Sequence, residues 1–158
     1  SCLPGPLDDA TFLDIGSGRG RTLFEAARWP FRRIVGIEFA DELHEDAALN
    51  LRHWPRGLMR CRDVDLILGD AVETPLPDGE LVVWMFDPFS ERLMTRMAAR
   101  LAEHARQRKV TLVLVDPRNP MAFRESPTFR EQEMPAEFRR KFVLYSPYTV
   151  RIFTAGPV

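Results

Sequence analysis

In residues 13–21, LDIGSGRGR, three glycines (Gly16, Gly18 and Gly20) alternate with polar residues, two positions after Asp14. Glycine tolerates positive φ and lets a ligand approach the bare backbone, so this loop has the chemistry to carry a nucleotide-like molecule. The dinucleotide fingerprint is G-x-G-x-x-G, whereas here the third glycine arrives one residue early. The Gly-Lys-Ser/Thr ending of a phosphate-binding loop is missing as well. By itself the stretch also reads as a tight strand-to-helix turn. Glu38 follows Gly16 by 22 residues, where a carboxylate can accept both hydroxyls of a ribose and disfavours a 2′-phosphate. The competing role for Glu38 is to cap the next helix, and Asp41 is the N-cap candidate that leaves Glu38 for the ribose. Further acids, Asp70, Asp87 and Asp116, close later apolar runs. One acid at a strand end is commonly a turn residue, but several at one edge of one sheet point to a site.

The elements that must position these residues follow from period and punctuation. Short apolar runs at 10–15, 33–39, 64–70, 81–89 and 109–116 read as buried strands. Helical spacing separates them at 21–29, where Pro30 closes the helix, at 41–54, with Leu43, Ala47 and Leu51 on one face, and at 90–108, with Ser90 as N-cap. The runs at 141–147 and 148–156 are joined through Ser146-Pro147, a link short enough only for an antiparallel pair. Near-continuous apolar strands alternating with helices make a parallel sheet covered on both faces. The fold class is therefore α/β: a doubly wound, mostly parallel sheet ending in an antiparallel hairpin. In such folds ligands bind outside the carboxyl ends of the strands, where the acids and glycines fall.

Composition bounds the rest. At 158 residues the chain is expected to form one domain, spanning 1–158. A formal charge of −1 gives no whole-domain grip on nucleic acid, and no apolar run is long enough to span a membrane. Cys2 and Cys61 are isolated, which suits a reducing compartment, and the expected location is the cytoplasm. His44, His53 and His104 lie on helices with no second ligand at metal spacing, so no metal is expected. Arg92, Arg96 and Arg100 form one helical stripe, read as a solvated face opposite Leu93, Met97 and Leu101. Met94, Met97 and Trp84 read as core. The first strand begins about ten residues in, so an N-terminal covering element is expected to be absent.

DIGSGRG followed by VGIE, GDA and FDPF resembles the class I S-adenosylmethionine-dependent methyltransferases, in an order that covers nearly the whole chain. That resemblance implies a seven-stranded Rossmann-like sheet and S-adenosylmethionine as cofactor, with S-adenosylhomocysteine as product. It implies that Gly16, Ser17, Gly18 and Gly20 line the methionine and ribose part, and that Asp14 orients the amino group. Glu38 is then the ribose ligand, Phe39 stands against the adenine, Asp70 accepts from the adenine amino group, and Ala71 offers a backbone contact. A cationic sulfonium suits an acid-rich, phosphate-free site better than a pyrophosphate does.

The FDPF stretch falls nearest the transferred methyl in this resemblance, but it has one proline where amino-methylating nucleic-acid enzymes have two. Asp87 is the candidate base or orienting group, weighed against a helix-capping role, with Pro88 and Phe89 beside it. The segment 116–138 is long for a connection, and Asn119 and Phe123 are its candidate contributors to an acceptor pocket. The expected function is methyl transfer to an N or O acceptor, the acceptor being a small molecule, protein or RNA. The alternatives are a non-catalytic binding module on the same fold and an NAD-dependent oxidoreductase.

Overall fold

The computed structural model describes residues 6–86, 89–118, 120–134, 136, 139 and 147–157. Seven strands take the order β3-β2-β1-β4-β5-β7-β6, the mixed α/β sheet expected from the sequence. In chain order the elements are β1 (Ala10–Ile15), α1 (Arg21–Ala27), β2 (Arg33–Glu38), α2 (Asp41–His53), β3 (Val64–Leu68), β4 (Glu80–Phe86), α3 (Glu91–Ala105), β5 (Val110–Val115), α4 (Met121–Arg124), β6 (Arg130–Gln132) and β7 (Val150–Ala155). The chain divides within β4 into two compact units, Pro6–Val83 and Trp84–Val158.

In the first unit β1 and β2 run parallel, with Asp14 opposite Gly36 and Ile15 opposite Ile37. β2 and β3 are parallel too, with Glu38 opposite Leu68. All six β1 residues are buried, as a strand covered on both faces requires. Helix α1 stops at Ala27, because Trp29 precedes Pro30 and is driven out of the helical region. Helix α2 turns Ala47 fully inward and ends ahead of Trp54-Pro55, where the Trp54 ring stacks on Phe24 at 4.7 Å.

In the second unit α3 buries Met94, Met97, Ala98, Leu101 and Ala105, one stripe at helical spacing. Arg92 and Arg96 are exposed, as the stripe reading expects, whereas Arg100, the third arginine of that stripe, is half-buried. Ser90 occupies the N-cap position, although its side chain makes no capping hydrogen bond. β7 runs antiparallel to both β5 and β6. The antiparallel ending thus stands, but its outer strand, β6, falls within the segment read from sequence as a connection. β6 is three polar residues long and carries no apolar alternation to announce it. Its ladder to β7 is reinforced by Glu131, whose carboxylate pairs with Arg124 at 3.0 Å and Arg151 at 2.6 Å. Of the expected strand at 141–147, residues 141–146 lie outside the described residues.

Candidate cofactor site

The first unit collects the glycine loop, Asp14, Glu38 and Asp70 at the carboxyl ends of β1, β2 and β3. The Ile37 carbonyl accepts from the N–H groups of both Gly16 (2.9 Å) and Ser17 (3.1 Å), which pins the loop to β2. Gly16, Gly18 and Gly20 all have positive φ, at 77°, 54° and 83°. A side chain in that left-handed region costs about 1–2 kcal/mol per residue, which accounts for the alternation of glycines. Their surroundings differ. A Cβ on Gly20 would fall 2.9 Å from Cζ of Phe24, so that glycine makes room for the helix. A Cβ on Gly18 would meet nothing within 4 Å, so its backbone faces open space that a ligand can fill.

Glu38 holds this loop in place. Its Oε2 accepts from Gly18 N–H at 2.7 Å, while Oε1 accepts from Phe39 and Ala40 N–H, each at 2.9 Å. One buried carboxylate thus serves both the glycine turn and the entry to α2. This corrects the division of labour read from sequence: Ala40 is the N-cap, and Asp41 is the first helical residue. Asp41 and Glu42 add negative charge to the first turn, where the helix dipole favours it. No side chain makes a capping hydrogen bond to α2, and Glu38 instead binds the N–H groups of Phe39 and Ala40 just ahead of it. A carboxylate has about four acceptor sites, so three backbone donors leave one open to a hydroxyl.

Asp14 is 3 % exposed, and among the described residues no hydrogen bond or ion pair reaches its carboxyl. Burial, reinforced by the negative charge of Glu38, pushes its pKa from 3.8 up to about 7. It is a buried acid without a counter-charge, at the root of an open glycine turn.

Asp70 lies beyond the end of β3, exposed, in a turn where its Oδ1 accepts from Val72 N–H at 2.8 Å. That turn is joined to the site because Gly69 N–H donates to the Glu38 carbonyl at 2.9 Å. Ala71 is buried behind it. The Phe39 side chain, just after β2, is 79 % exposed.

Two residues of this site have no role in the reading from sequence. Leu68, opposite Glu38, presents a second exposed apolar side chain at this edge. Gly36 sits beneath the loop, where a Cβ would fall 2.5 Å from Leu23 Cδ1 and 2.9 Å from Ser17 Oγ. A glycine inside an otherwise apolar strand signals close approach, so Gly36 carries a signal in the sequence. Leu68 has no such signal.

The acceptor-side candidates fare differently. Asp87, Pro88 and Asn119 lie outside the described residues, and Phe89 is half-buried just ahead of α3. Phe123, expected at an acceptor pocket, is a correction: it is 0 % exposed, with its ring against Phe129 at 5.2 Å and Phe153 at 5.7 Å. A large apolar side chain on a four-residue helix finds its partners on the sheet behind it, not in a cleft. Among the described residues no three His, Cys, Asp or Glu side chains are grouped to hold a metal, and no helix is long and apolar enough to cross a membrane.

A family model described as a methyltransferase domain matches residues 13–109, which run from the glycine loop to the threshold of β5. The chain belongs to this methyltransferase family. Its kinship is with the class I S-adenosylmethionine-dependent enzymes, as the motifs suggest. A search of curated protein sequences finds no significant match. Among solved structures, an RNA methyltransferase from Salinibacter ruber in complex with S-adenosylhomocysteine is 22 % identical over 96 % of this chain and 83 % of its own, with a TM-score of 0.61. An arsenic(III) S-adenosylmethionine methyltransferase from Chlamydomonas reinhardtii is 16 % identical over 99 % of this chain and 66 % of its own, with a TM-score of 0.60. The cyclase SpnF is 15 % identical over 100 % of this chain and 78 % of its own, with a TM-score of 0.62. These likenesses concern the fold. Since RNA, arsenic and a cyclisation are all served on it, the acceptor of this methyltransferase domain does not follow from its architecture.

Proposed function

We propose that this domain transfers the methyl group of S-adenosylmethionine to a nitrogen or oxygen acceptor by direct displacement. The observation that carries the cofactor half is Asp14, a buried carboxyl without a counter-charge beneath an open glycine turn. A zwitterionic, cationic ligand supplies what that carboxyl lacks, whereas a pyrophosphate would add to the negative charge already there. Gly18 lets the ligand reach the backbone, Glu38 has an acceptor site left for a ribose hydroxyl, and Phe39 offers its face to the adenine. Asp70 and Ala71 bound the adenine end. The cofactor brings an electrophilic methyl on a good leaving group, so the protein's task is alignment and exclusion of water. Asp87, with Pro88 and Phe89, is assigned to orient the acceptor or take its proton, and Asn119 to the acceptor side. S-adenosylhomocysteine is the product, and no metal takes part in this reading.

Calorimetric titration of the chain with S-adenosylmethionine, S-adenosylhomocysteine and NAD tests it. Both sulfur nucleosides are expected to bind and NAD is not; NAD binding with neither sulfur nucleoside would overturn the proposal. Glu38→Ala removes a charged acceptor worth about 1.5–3 kcal/mol, so affinity is expected to fall by about tenfold or more. An unchanged dissociation constant would remove Glu38 from the site.

A further inference from the structure

In the second unit, residues 148–149 draw together the carboxyl ends of β4 and β5. Phe86 ends β4, Tyr148 stands just ahead of β7, and their rings meet edge to face with centroids 4.8 Å apart. Each remains 45 % exposed, so the pair hides only part of itself. Asp116 follows β5, and its N–H donates to the Thr149 carbonyl at 2.7 Å, which fixes it beside Tyr148. Among the described residues it is the one non-glycine with positive φ, at 46°, and it precedes Pro117, which favours an extended residue ahead of it. Backbone held in so sparse a region concentrates at ligand sites. Among the described residues no hydrogen bond or ion pair reaches the exposed Asp116 carboxylate, and Arg118, the next cation along the chain, has a partner of its own.

The face of an aromatic ring is electron-rich, so two rings at a right angle with a carboxylate beside them attract a cation that carries an apolar body. A hydroxyl compound has no charge to offer such a corner, and an anion would meet the carboxylate. We propose that Phe86, Tyr148 and Asp116 bind the acceptor as an alkylammonium, which makes the acceptor class a small aliphatic amine; this rests on the methyl transfer proposed above. Phe86 opens the FDPF stretch already assigned to the acceptor side. The amine binds protonated and gives one proton to solvent before transfer. Its nitrogen lone pair then takes the methyl carbon, while the carbon–sulfur bond breaks and its electron pair stays on sulfur. The corner thus selects nitrogen over oxygen by charge.

The test uses the whole chain and two probes, butylammonium and butan-1-ol, which share a carbon chain and differ in the head group. Proton magnetic resonance follows their titration near neutral pH. Butylammonium is expected to bind about three- to tenfold more tightly than butan-1-ol, with its α-methylene resonance moved upfield by the ring faces. Asp116→Asn is expected to weaken butylammonium by about threefold and to leave butan-1-ol unchanged. Phe86→Leu and Tyr148→Leu are each expected to remove most of the upfield shift, and urea unfolding reports that the variants are folded. Equal binding of both probes, binding of neither, or an upfield shift that survives both ring substitutions overturns the amine corner. A parallel titration with S-adenosylhomocysteine separates the two readings. If S-adenosylhomocysteine binds and butylammonium does not, the corner alone falls. If S-adenosylhomocysteine does not bind, the methyl-transfer reading falls and takes the acceptor role of the corner with it.

Discussion

The unusual state of Asp14 has a consequence for stability that is measurable without any ligand. Its carboxyl titrates near 3.8 in an unfolded chain and at about 7 in the folded one. Because the folded value is the higher, the folded state holds the proton more tightly. The resulting stabilisation is complete below pH 3.8 and is lost as pH rises through about 7. A tenfold difference in proton affinity corresponds to about 1.4 kcal/mol, so between about pH 5 and pH 8 the protein forfeits about 2.5 kcal/mol at this one residue. Asp14→Asn keeps the shape and removes the titration. Relative to the unsubstituted protein, the variant should therefore gain about 2.5 kcal/mol over that interval and little beyond it. For a domain of 158 residues this corresponds to roughly 5–10 °C in melting temperature. Urea and thermal unfolding of both proteins, without cofactor, would measure the gap at several pH values. Every other titrating group is common to the pair and cancels in the difference. A gap that stays constant from pH 5 to pH 8 would refute the assignment of a buried, uncompensated carboxyl at Asp14.

Two further outcomes follow from packing. Gly36→Ala drives a methyl group against Leu23 and Ser17, and should cost about 1–3 kcal/mol in urea unfolding while weakening S-adenosylhomocysteine binding through the displaced loop. If affinity is untouched, Gly36 has no part in seating the loop. Phe123→Ala removes a fully buried ring from the cluster with Phe129 and Phe153, and should destabilise by about 3–5 kcal/mol. A loss below about 1 kcal/mol would place Phe123 outside the core and return it to the acceptor pocket.

Much of the site is legible in the chain because its parts are short-range. The glycines of the loop are spaced for successive left-handed turns, and their φ values match that need. Glu38 ends a strand whose apolar run is unmistakable, and parallel pairing of β1 with β2 then sets it beside the loop. The stripe of α3 likewise declares its buried face by period alone. These features depend on residues a few positions apart, which is the range over which backbone geometry correlates side chains.

What only the tertiary structure decided concerns partners brought from elsewhere in the chain. Whether Asp14 keeps or loses its proton depends on what surrounds it, and that environment includes Glu38, on another strand. Whether Glu38 or Asp41 serves the entry to α2 depends on where a folded carboxylate points, and Glu38 reaches two donors there and a third in the glycine loop. β6 has no apolar pattern because its stability comes from the ladder to β7 and from Glu131 between two arginines. Phe123 reads as a pocket residue when its loop is considered alone, yet it is claimed by rings at positions 129 and 153. Sequence by itself determined the strand-and-helix order as far as β5, the glycine turn and the family. Folding determined the charge state and the hydrogen-bond partners, because burial and electrostatics belong to the surroundings of a residue and not to its type.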